Sequence, residues 1–128
     1  MAKILVLDDV LDASILVKRI LEKKGHDVSA FTEEEDALNH ARSHEVDLAI
    51  LDIKLKKMSG IEVLEELKKI NPDIRAIMLT GYPTLETARE SLNLGAGEYC
   101  VKPIDKEELE EKVDDVLGSR GASFLKKH

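Results

Sequence analysis

The chain lacks the residues and segments that would crosslink it or anchor it in a membrane. It has one cysteine, Cys100, and therefore cannot form an internal disulfide; because Cys100 lies in an apolar run, we expect a small buried side chain. No apolar run approaches the roughly 20 residues needed to cross a bilayer. A secretory signal is not expected, because Met1–Lys3 leads directly into a strand-like run. We therefore expect a cytoplasmic protein without membrane association.

An excess of basic charge is also missing. The 128 residues include 19 Lys and Arg against 26 Asp and Glu, which gives a net charge of −7. Because an acidic surface repels the phosphate backbone, direct binding of nucleic acid is not expected. The apolar fraction of 43% is that of a globular chain, and the length is that of one domain with its own core. We assign residues 1–118 to this domain and residues 119–128 to a short C-terminal tail.

Five short apolar runs alternate with five helix-like segments. This alternation is typical of α/β folds, in which helices cover both faces of a parallel sheet. Three of the runs are almost entirely apolar, as expected of central strands that are buried on both faces. The predicted strands are Lys3–Leu7, Asp27–Phe31, Asp47–Leu51, Arg75–Leu79 and Glu98–Val101.

Residues typical of helix ends lie between these segments. Thr32, Ser59 and Asp105 are each followed three residues later by a glutamate, which is the pattern of a capping box or a close analogue at a helix start. Thr84 is a candidate N-cap for a fourth helix. Glycine is the residue best suited to the left-handed turn that ends many helices. Three glycines are placed for this role: Gly25, Gly95 and Gly118.

Polar groups follow four of the predicted strands directly. Asp8 and Asp9 follow the first strand, and Asp52 follows the third. Thr80 follows the fourth strand and Lys102 the fifth. Parallel α/β sheets bind ligands beyond the carboxyl ends of their strands, at the point where the strand order reverses. We therefore expect three carboxylates, a hydroxyl and an ammonium group to converge at one edge of the sheet.

Such a cluster suits a hard cation and a phosphoryl group. Carboxylates held close together repel one another, so a cation among them makes the arrangement tolerable. Mg²⁺ accepts carboxylate oxygens and keeps positions open for phosphate oxygens. A neighbouring carboxylate can then take a phosphoryl group as an acyl phosphate, while the metal and a lysine neutralise the transferring oxygens.

Four stretches of the chain together resemble the receiver domains of bacterial two-component response regulators. They are Asp8–Asp9, LDIKLKKMSG at Leu51–Gly60, LTGY at Leu79–Tyr82 and GAGEYCVKP at Gly95–Pro103. The resemblance extends over about residues 3–117, and these motifs in this order are highly specific. It implies a chemotaxis-regulator-like, flavodoxin-like α/β fold, with five parallel strands in the order 2-1-3-4-5 and five helices.

The resemblance also implies a role for each position of the site. Asp52 would accept the phosphoryl group. Asp9 and Asp52 would bind Mg²⁺ through their side chains and Lys54 through its backbone carbonyl. Asp8 would act mainly through water. Lys102 would contact the phosphoryl group.

The resemblance implies that two further positions would transmit the effect of phosphorylation, and it also implies the partners. Thr80 would move towards a phosphoryl oxygen, and Tyr99 would turn inward into the vacated space. This would alter the surface of the fourth helix, fifth strand and fifth helix, through which homodimers can form. The donor would be a sensor histidine kinase or a phosphotransfer protein. The Lys102–Pro103 bond would be cis.

One position departs from the family pattern. Many members have proline four residues after the phosphoacceptor, where this chain has Lys56. We expect the loop to be more mobile and locally more basic. Lys54 and Tyr82 flank the site in the family, and we hypothesise that they set how readily water attacks the acyl phosphate.

Two other functions agree with part of the pattern. Phosphatases of the haloacid dehalogenase type also use an aspartate after a strand, but they need a second aspartate two residues later, where Lys54 stands. The second alternative is a docking or dimerisation module that works without phosphorylation, against which the intact strand-end residues argue. We therefore expect a phosphoacceptor signalling domain rather than an enzyme with substrate turnover. It could stand alone or belong to a longer protein.

Overall fold

The computed structural model describes residues 1–126, in which strands and helices alternate. The strands are β1 (Lys3–Leu7), β2 (Asp27–Phe31), β3 (Leu48–Leu51), β4 (Arg75–Thr80) and β5 (Glu98–Val101). The helices are α1 (Leu11–Lys23), α2 (Glu34–Ser43), α3 (Gly60–Ile70), α4 (Leu85–Asn93) and α5 (Lys106–Lys126). All five predicted strands are confirmed, although β3 begins one residue later than expected and β4 extends to Thr80.

The five strands form one parallel sheet with the order β2-β1-β3-β4-β5. This confirms the order that the resemblance implied. The chain runs outward from β1 to β2 and then crosses to the other side of β1 to form β3. The strand order therefore reverses between β1 and β3, and their carboxyl ends flank the crevice in which such sheets bind ligands.

The core lies in two layers, one on each face of the sheet. Alternate residues of the central strands point to opposite faces, and both sets are buried because helices cover both faces. One layer joins the sheet to α2 and α3 through Leu5, Leu7, Leu51, Met78, Leu38, Leu64 and Leu67. The other joins it to α1 and α5 through Ile4, Val6, Ile50, Ile77, Leu21, Leu109 and Val113. Cys100 belongs to this second layer and is buried, as predicted.

Three predicted N-caps are present. The Ser59 hydroxyl accepts the Glu62 N–H at 3.1 Å, and the Glu62 carboxylate accepts the Ser59 N–H at 2.9 Å, which completes the capping box of α3. Thr84 and Asp105 likewise accept the backbone N–H three residues later. Each such cap stabilises its helix by about 1 kcal/mol.

Two other predicted helix ends are wrong. Thr32 does not cap α2, because the helix starts later, with Glu33 as an N-cap that makes no side-chain cap hydrogen bond. The first residue of α2 is Glu34, whose carboxylate contacts a distant loop, as described below. Gly118 does not end α5, which continues to Lys126. A glycine inside a helix costs only about 1 kcal/mol of stability, so the helix can continue through it. Left-handed glycines follow α1 and α4, as predicted, at Gly25 and Gly95.

The predicted C-terminal tail, residues 119–128, is helical as far as Lys126, and its last two residues lie outside the described part of the chain. Within residues 1–126, no helix is both long enough and apolar enough to cross a bilayer.

Candidate functional site

The strand-end residues converge at the carboxyl edge of the sheet. Hydrogen bonds between neighbouring strands continue into the residues that follow them: the Asp52 N–H donates to the Leu7 carbonyl at 2.9 Å, and the Lys102 N–H donates to the Thr80 carbonyl at 2.8 Å. These backbone hydrogen bonds therefore fix the backbone positions of Asp52 and Lys102 at the edge of the sheet. The Lys102–Pro103 peptide bond is cis, as expected.

The ammonium group of Lys102 lies between two carboxylates. Its Nζ donates to Oδ2 of Asp8 at 2.5 Å and to Oδ2 of Asp52 at 3.1 Å. The two aspartate side chains are only 8% and 10% exposed, and that of Lys102 is 27% exposed. These ion pairs are thus largely shielded from water. Coulomb interactions are stronger in such a shielded site than at an open surface.

Asp8, Asp9 and Asp52 form a cluster that fits a divalent cation. One carboxylate oxygen from each residue lies within 4.8 Å of the others. Carboxylate oxygens are ligands that Mg²⁺ accepts, and three carboxylates exceed the single positive charge of Lys102. Lys54, the fourth predicted ligand, has its backbone at the same place, because its N–H donates to Oδ1 of Asp52 at 3.4 Å.

The surroundings of the site disfavour the charged form of Asp52 but favour that of Lys102. Burial raises the pKa of the Asp52 carboxyl group, and the negative charge of Asp8 adds to this, although the hydrogen bond from Lys102 opposes it. Burial disfavours the charged form of Lys102, but the hydrogen bonds to Asp8 and Asp52 outweigh it and raise the pKa of this ammonium group. Lys102 is therefore held in its charged form. Burial disfavours the charged form of Asp52, and the positive charge of Lys102 beside it compensates part of this effect.

Thr80 and Tyr99, the predicted switch pair, lie on the neighbouring strands β4 and β5. Thr80 is fully buried, and its Oγ1 accepts the Tyr82 N–H at 3.0 Å. The Tyr99 hydroxyl lies 2.7 Å from Oγ1 of Thr87 and accepts the Thr84 N–H at 3.3 Å. The structure thus holds the Tyr99 hydroxyl at the N-terminal end of α4.

Lys54 and Tyr82 make a contact that the sequence did not predict. The Lys54 ammonium group lies 4.2 Å from the centre of the Tyr82 ring, in cation–π geometry. Tyr82 is 65% exposed, and such contacts at exposed sites contribute about 0.5–1 kcal/mol. The contact joins the loop after β3 to the loop after β4, both of which adjoin the acidic cluster.

Glu34 is a candidate that sequence reasoning missed. It lies among the acidic residues of the first turn of α2, which look like a solvated helix end, yet it is only 4% exposed. Its carboxylate bonds the loop after β3, whose bonded residues are 23 and 24 positions away. No local pattern in the sequence marks a contact of this range.

Comparisons with known proteins agree with this geometry. Residues 4–114 match the family model described as the response regulator receiver domain. The chain is 34% identical over 114 residues to the transcriptional regulatory protein ZraR of Salmonella typhimurium, which covers 89% of this chain and 26% of ZraR. It is 35% identical over 115 residues to sporulation initiation phosphotransferase F of Bacillus subtilis, covering 90% of this chain and 93% of that protein. The chain thus spans about a quarter of ZraR.

Solved structures show the same likeness. A CheY-like response regulator receiver domain protein from Methanospirillum hungatei JF-1 has a TM-score of 0.91 and 35% identity, over 96% of this chain and 98% of that one. The BeF3-activated DrrB receiver domain has a TM-score of 0.84 and 30% identity, over 92% and 98% of the two chains. The matched family model, the fold and these relatives together show that the chain belongs to the response regulator receiver domain family.

Proposed function

We propose that this domain accepts a phosphoryl group on Asp52, with bound Mg²⁺, and changes its protein contacts in response. The observation that carries the proposal is the convergence of Asp8, Asp9 and Asp52 with the ammonium group of Lys102. In phosphoryl transfer the protein supplies mainly position and charge compensation, and this cluster offers both. Mg²⁺ bound there supplies further compensation of the charge on the transferring oxygens.

The groups of this cluster account for each step of phosphoryl transfer to Asp52. The Asp52 carboxylate attacks the phosphorus of a phosphorylated histidine on the donor. The P–N bond breaks, its electron pair stays on the imidazole, and an acyl phosphate forms on Asp52. Lys102 stays hydrogen-bonded to the charged oxygens throughout. Attack by water on the same phosphorus later returns the carboxylate and releases phosphate. The domain would therefore catalyse only its own phosphorylation and dephosphorylation.

Labelling with acetyl phosphate tests this assignment. We expect wild-type protein to gain one phosphoryl group when Mg²⁺ is present, with a label that hydroxylamine removes, as expected of an acyl phosphate. Asp52→Asn should gain none, and EDTA should abolish labelling of the wild type. Asp36→Asn is a matched control, because Asp36 is exposed on α2. Labelling of Asp52→Asn at the wild-type level would overturn the assignment.

The natural donor in this proposal is a sensor histidine kinase or a phosphotransfer protein. Membership of the receiver family supports it, as does the name of the similar Bacillus subtilis protein, a phosphotransferase. We further propose residues 1–118 as the receiver unit and the cytoplasm as its location. Labelling by a phosphorylated donor should depend on Asp52 in the same way as labelling by acetyl phosphate.

The Lys54–Tyr82 contact supports the hypothesis that these residues control the lifetime of the acyl phosphate. Because they contact each other beside Asp52, their removal should give water easier access. A contact of about 0.5–1 kcal/mol corresponds to a roughly two- to fivefold shorter half-life for Lys54→Met and Tyr82→Leu. Lys56→Met, in the same loop, is the control. Half-lives equal to the wild type in both variants would refute the hypothesis.

A face on α4 and β5 supports dimerisation as the change in contacts. Leu85 and Leu92 lie seven residues apart on α4 and are 68% and 60% exposed, and Val101 at the end of β5 is 49% exposed. Exposed apolar residues that cluster commonly mark protein interfaces. Tyr99, whose hydroxyl bonds the start of α4, connects this face to the site.

Sedimentation with and without Mg²⁺ and fluoroberyllate tests this dimer. We expect fluoroberyllate to promote dimers of the wild type, and Leu92→Glu to prevent them without changing the labelling of Asp52. Dimers of equal stability in both conditions would instead favour the second candidate function, a dimerisation module that works without phosphorylation. Monomers in both conditions would refute the dimer.

A further inference from the structure

The carboxylate of Glu34 is a buried charged group outside the acidic cluster. Glu34 begins α2, and its residue is 4% exposed. One of its oxygens, Oε2, accepts the Lys57 N–H at 2.6 Å and the Met58 N–H at 3.1 Å. Hydrogen bonds from two successive backbone amides to an ionised carboxylate are short and stronger than neutral ones.

These bonds act on the loop of residues 52–59, which leads from Asp52 to α3. The far end of the loop is fixed by the Gly60 N–H, which donates to the Ile53 carbonyl at 2.8 Å. A side chain at position 60 would collide with the Asp52 carbonyl, so only glycine lets α3 start against the end of β3. Within the loop, the N–H groups of Lys57 and Met58 donate to Glu34 and thereby connect the loop to α2.

We propose that Glu34 is a positioning residue that holds the backbone of Lys57 and Met58, and thereby keeps the Lys54 backbone beside the acidic cluster. The inference rests on the proposed function and extends it to the support of the Mg²⁺ site. Groups that orient metal ligands from outside the ligand set commonly affect metal affinity by about 10- to 100-fold. Glu34 would do this from a different helix, without touching metal or phosphoryl group.

The sequence of the loop explains why such support is needed. A proline fixes its own φ angle and reduces the conformational freedom of a loop, but residues 52–59 contain three lysines and no proline. Ordering a residue costs about 1–2 kcal/mol of conformational entropy. Two charge-assisted hydrogen bonds donated to Glu34 by the Lys57 and Met58 N–H groups offset part of this cost, so the loop is more restrained than its lysine-rich sequence predicts.

The electrostatics of Glu34 are consistent with a permanently charged acceptor. Burial acts to raise its pKa, but the hydrogen bonds from the Lys57, Glu34 and Met58 amides outweigh burial and hold the pKa of this carboxyl group below its ordinary value. The Lys57 ammonium group instead lies 3.9 Å from Glu33. Glu34 therefore accepts hydrogen bonds from the loop backbone, whereas Glu33 pairs with the Lys57 side chain.

Amide hydrogen exchange and Mg²⁺ titration by NMR test the inference. Glu34→Ala removes the acceptor, Glu34→Gln keeps one acceptor oxygen, and Asp36→Ala removes an exposed carboxylate from the same turn. We expect Glu34→Ala to speed exchange at Lys57 and Met58 and to weaken Mg²⁺ binding about tenfold. Glu34→Gln should recover most of both properties, and Asp36→Ala should match the wild type.

The outcomes separate this inference from the proposed function. Unchanged Mg²⁺ affinity in a folded Glu34→Ala would overturn the positioning role, even if the variant were less stable. If Glu34→Ala does not fold, the wild type decides: exchange at Lys57 and Met58 as fast as at Lys56, whose amide has no acceptor among the described residues, would also overturn it. A wild type that binds Mg²⁺ but gains no phosphoryl label would refute only the proposed function.

Discussion

At the scale of single residues, Lys102 links the two buried aspartates of the site. It is the positive group that contacts both Asp8 and Asp52, and all three side chains are mostly shielded from water. Removing one member of a buried ion pair leaves its partners without compensation, and that loss usually exceeds the net contribution of the pair. The stability of the domain should therefore depend on this lysine before any phosphoryl group arrives.

Lys102→Met should lower the free energy of unfolding by about 1–2 kcal/mol in EDTA at neutral pH. This is less than the roughly 3–5 kcal/mol of a fully buried pair, because the Lys102 side chain is 27% exposed. Urea unfolding measures the change. Lys106→Met is the control, since Lys106 pairs with Glu110 near the surface and should change stability by only about 0.5 kcal/mol. Equal effects of the two substitutions would contradict the argument.

His26 should make the stability depend on pH. Its Nδ1 accepts the Ala2 N–H at 3.1 Å, and burial, followed by the charge of the N-terminal amine, lowers the pKa of this imidazole from 6.5. The unfolded chain therefore takes up the proton first as the pH falls, so this contribution to stability is complete above 6.5 and is lost at lower pH.

We expect the free energy of unfolding of the wild type to fall from about pH 7 to about pH 5. His26→Asn should show a shallower slope, because asparagine offers an acceptor oxygen that does not titrate in this range. A smaller slope should persist, since the pKa of His40 is also lowered, first of all by burial. Urea unfolding at several pH values measures both slopes. Identical slopes for variant and wild type would show that His26 does not contribute.

At the scale of elements, the ends of strands and helices differ in how well the sequence predicts them. The apolar runs located every strand to within one residue, because burial on both faces requires continuous apolar residues. Ser59 capped α3 as predicted, since both hydrogen bonds of the cap join it to Glu62, three residues later. Thr32 did not cap α2 because the helix begins at Glu34, and the Glu34 carboxylate accepts a hydrogen bond from a distant loop. Local patterns thus predict local hydrogen bonds only.

The start of α4 and the side chain of Tyr99 form one hydrogen-bonded unit. Thr84 caps the helix, and Thr87 lies between Thr84 and the Tyr99 hydroxyl. A double-mutant cycle of Thr87→Val and Tyr99→Phe, measured by urea unfolding, should give a coupling of about 1 kcal/mol. Thr87→Val combined with Tyr82→Phe is the control and should give none.

The same cycle tests the switch. If Tyr99 turns inward when the site is loaded, Mg²⁺ with fluoroberyllate should abolish the coupling between Thr87 and Tyr99. A coupling that persists in the loaded protein would mean that the Tyr99 hydroxyl stays at α4. A coupling near zero in both states would show that the hydroxyl contact contributes nothing to stability.

At the scale of the whole molecule, the parallel topology made most of the site predictable. Asp8, Asp52 and Lys102 follow strands, and parallel strands end at the same edge, so their convergence follows from the alternation of elements. The Lys54–Tyr82 contact and the Glu34 anchor were not predictable in this way, because they depend on side-chain directions in loops and at a helix end. Topology brings backbones together, whereas such contacts require the packed structure.

The same topology links Mg²⁺ binding to folding. The acidic cluster draws on residues after β1 and after β3, which only the folded sheet brings together. A ligand that binds only the folded state stabilises it, by about 2.7 kcal/mol at 100 times its dissociation constant. We expect Mg²⁺ at this excess to raise the free energy of unfolding of the wild type by that amount.

Asp9→Asn separates the two sides of this linkage. The variant should lose most of the stabilisation by Mg²⁺, because it removes one of three clustered carboxylates. In EDTA it should be at least as stable as the wild type, since the substitution relieves repulsion with Asp8 and Asp52. Urea unfolding with EDTA and with Mg²⁺ measures both effects, and Asp36→Asn should behave as the wild type. Equal stabilisation of all three proteins by Mg²⁺ would place the cation elsewhere, because folding would then bring together a different set of ligands.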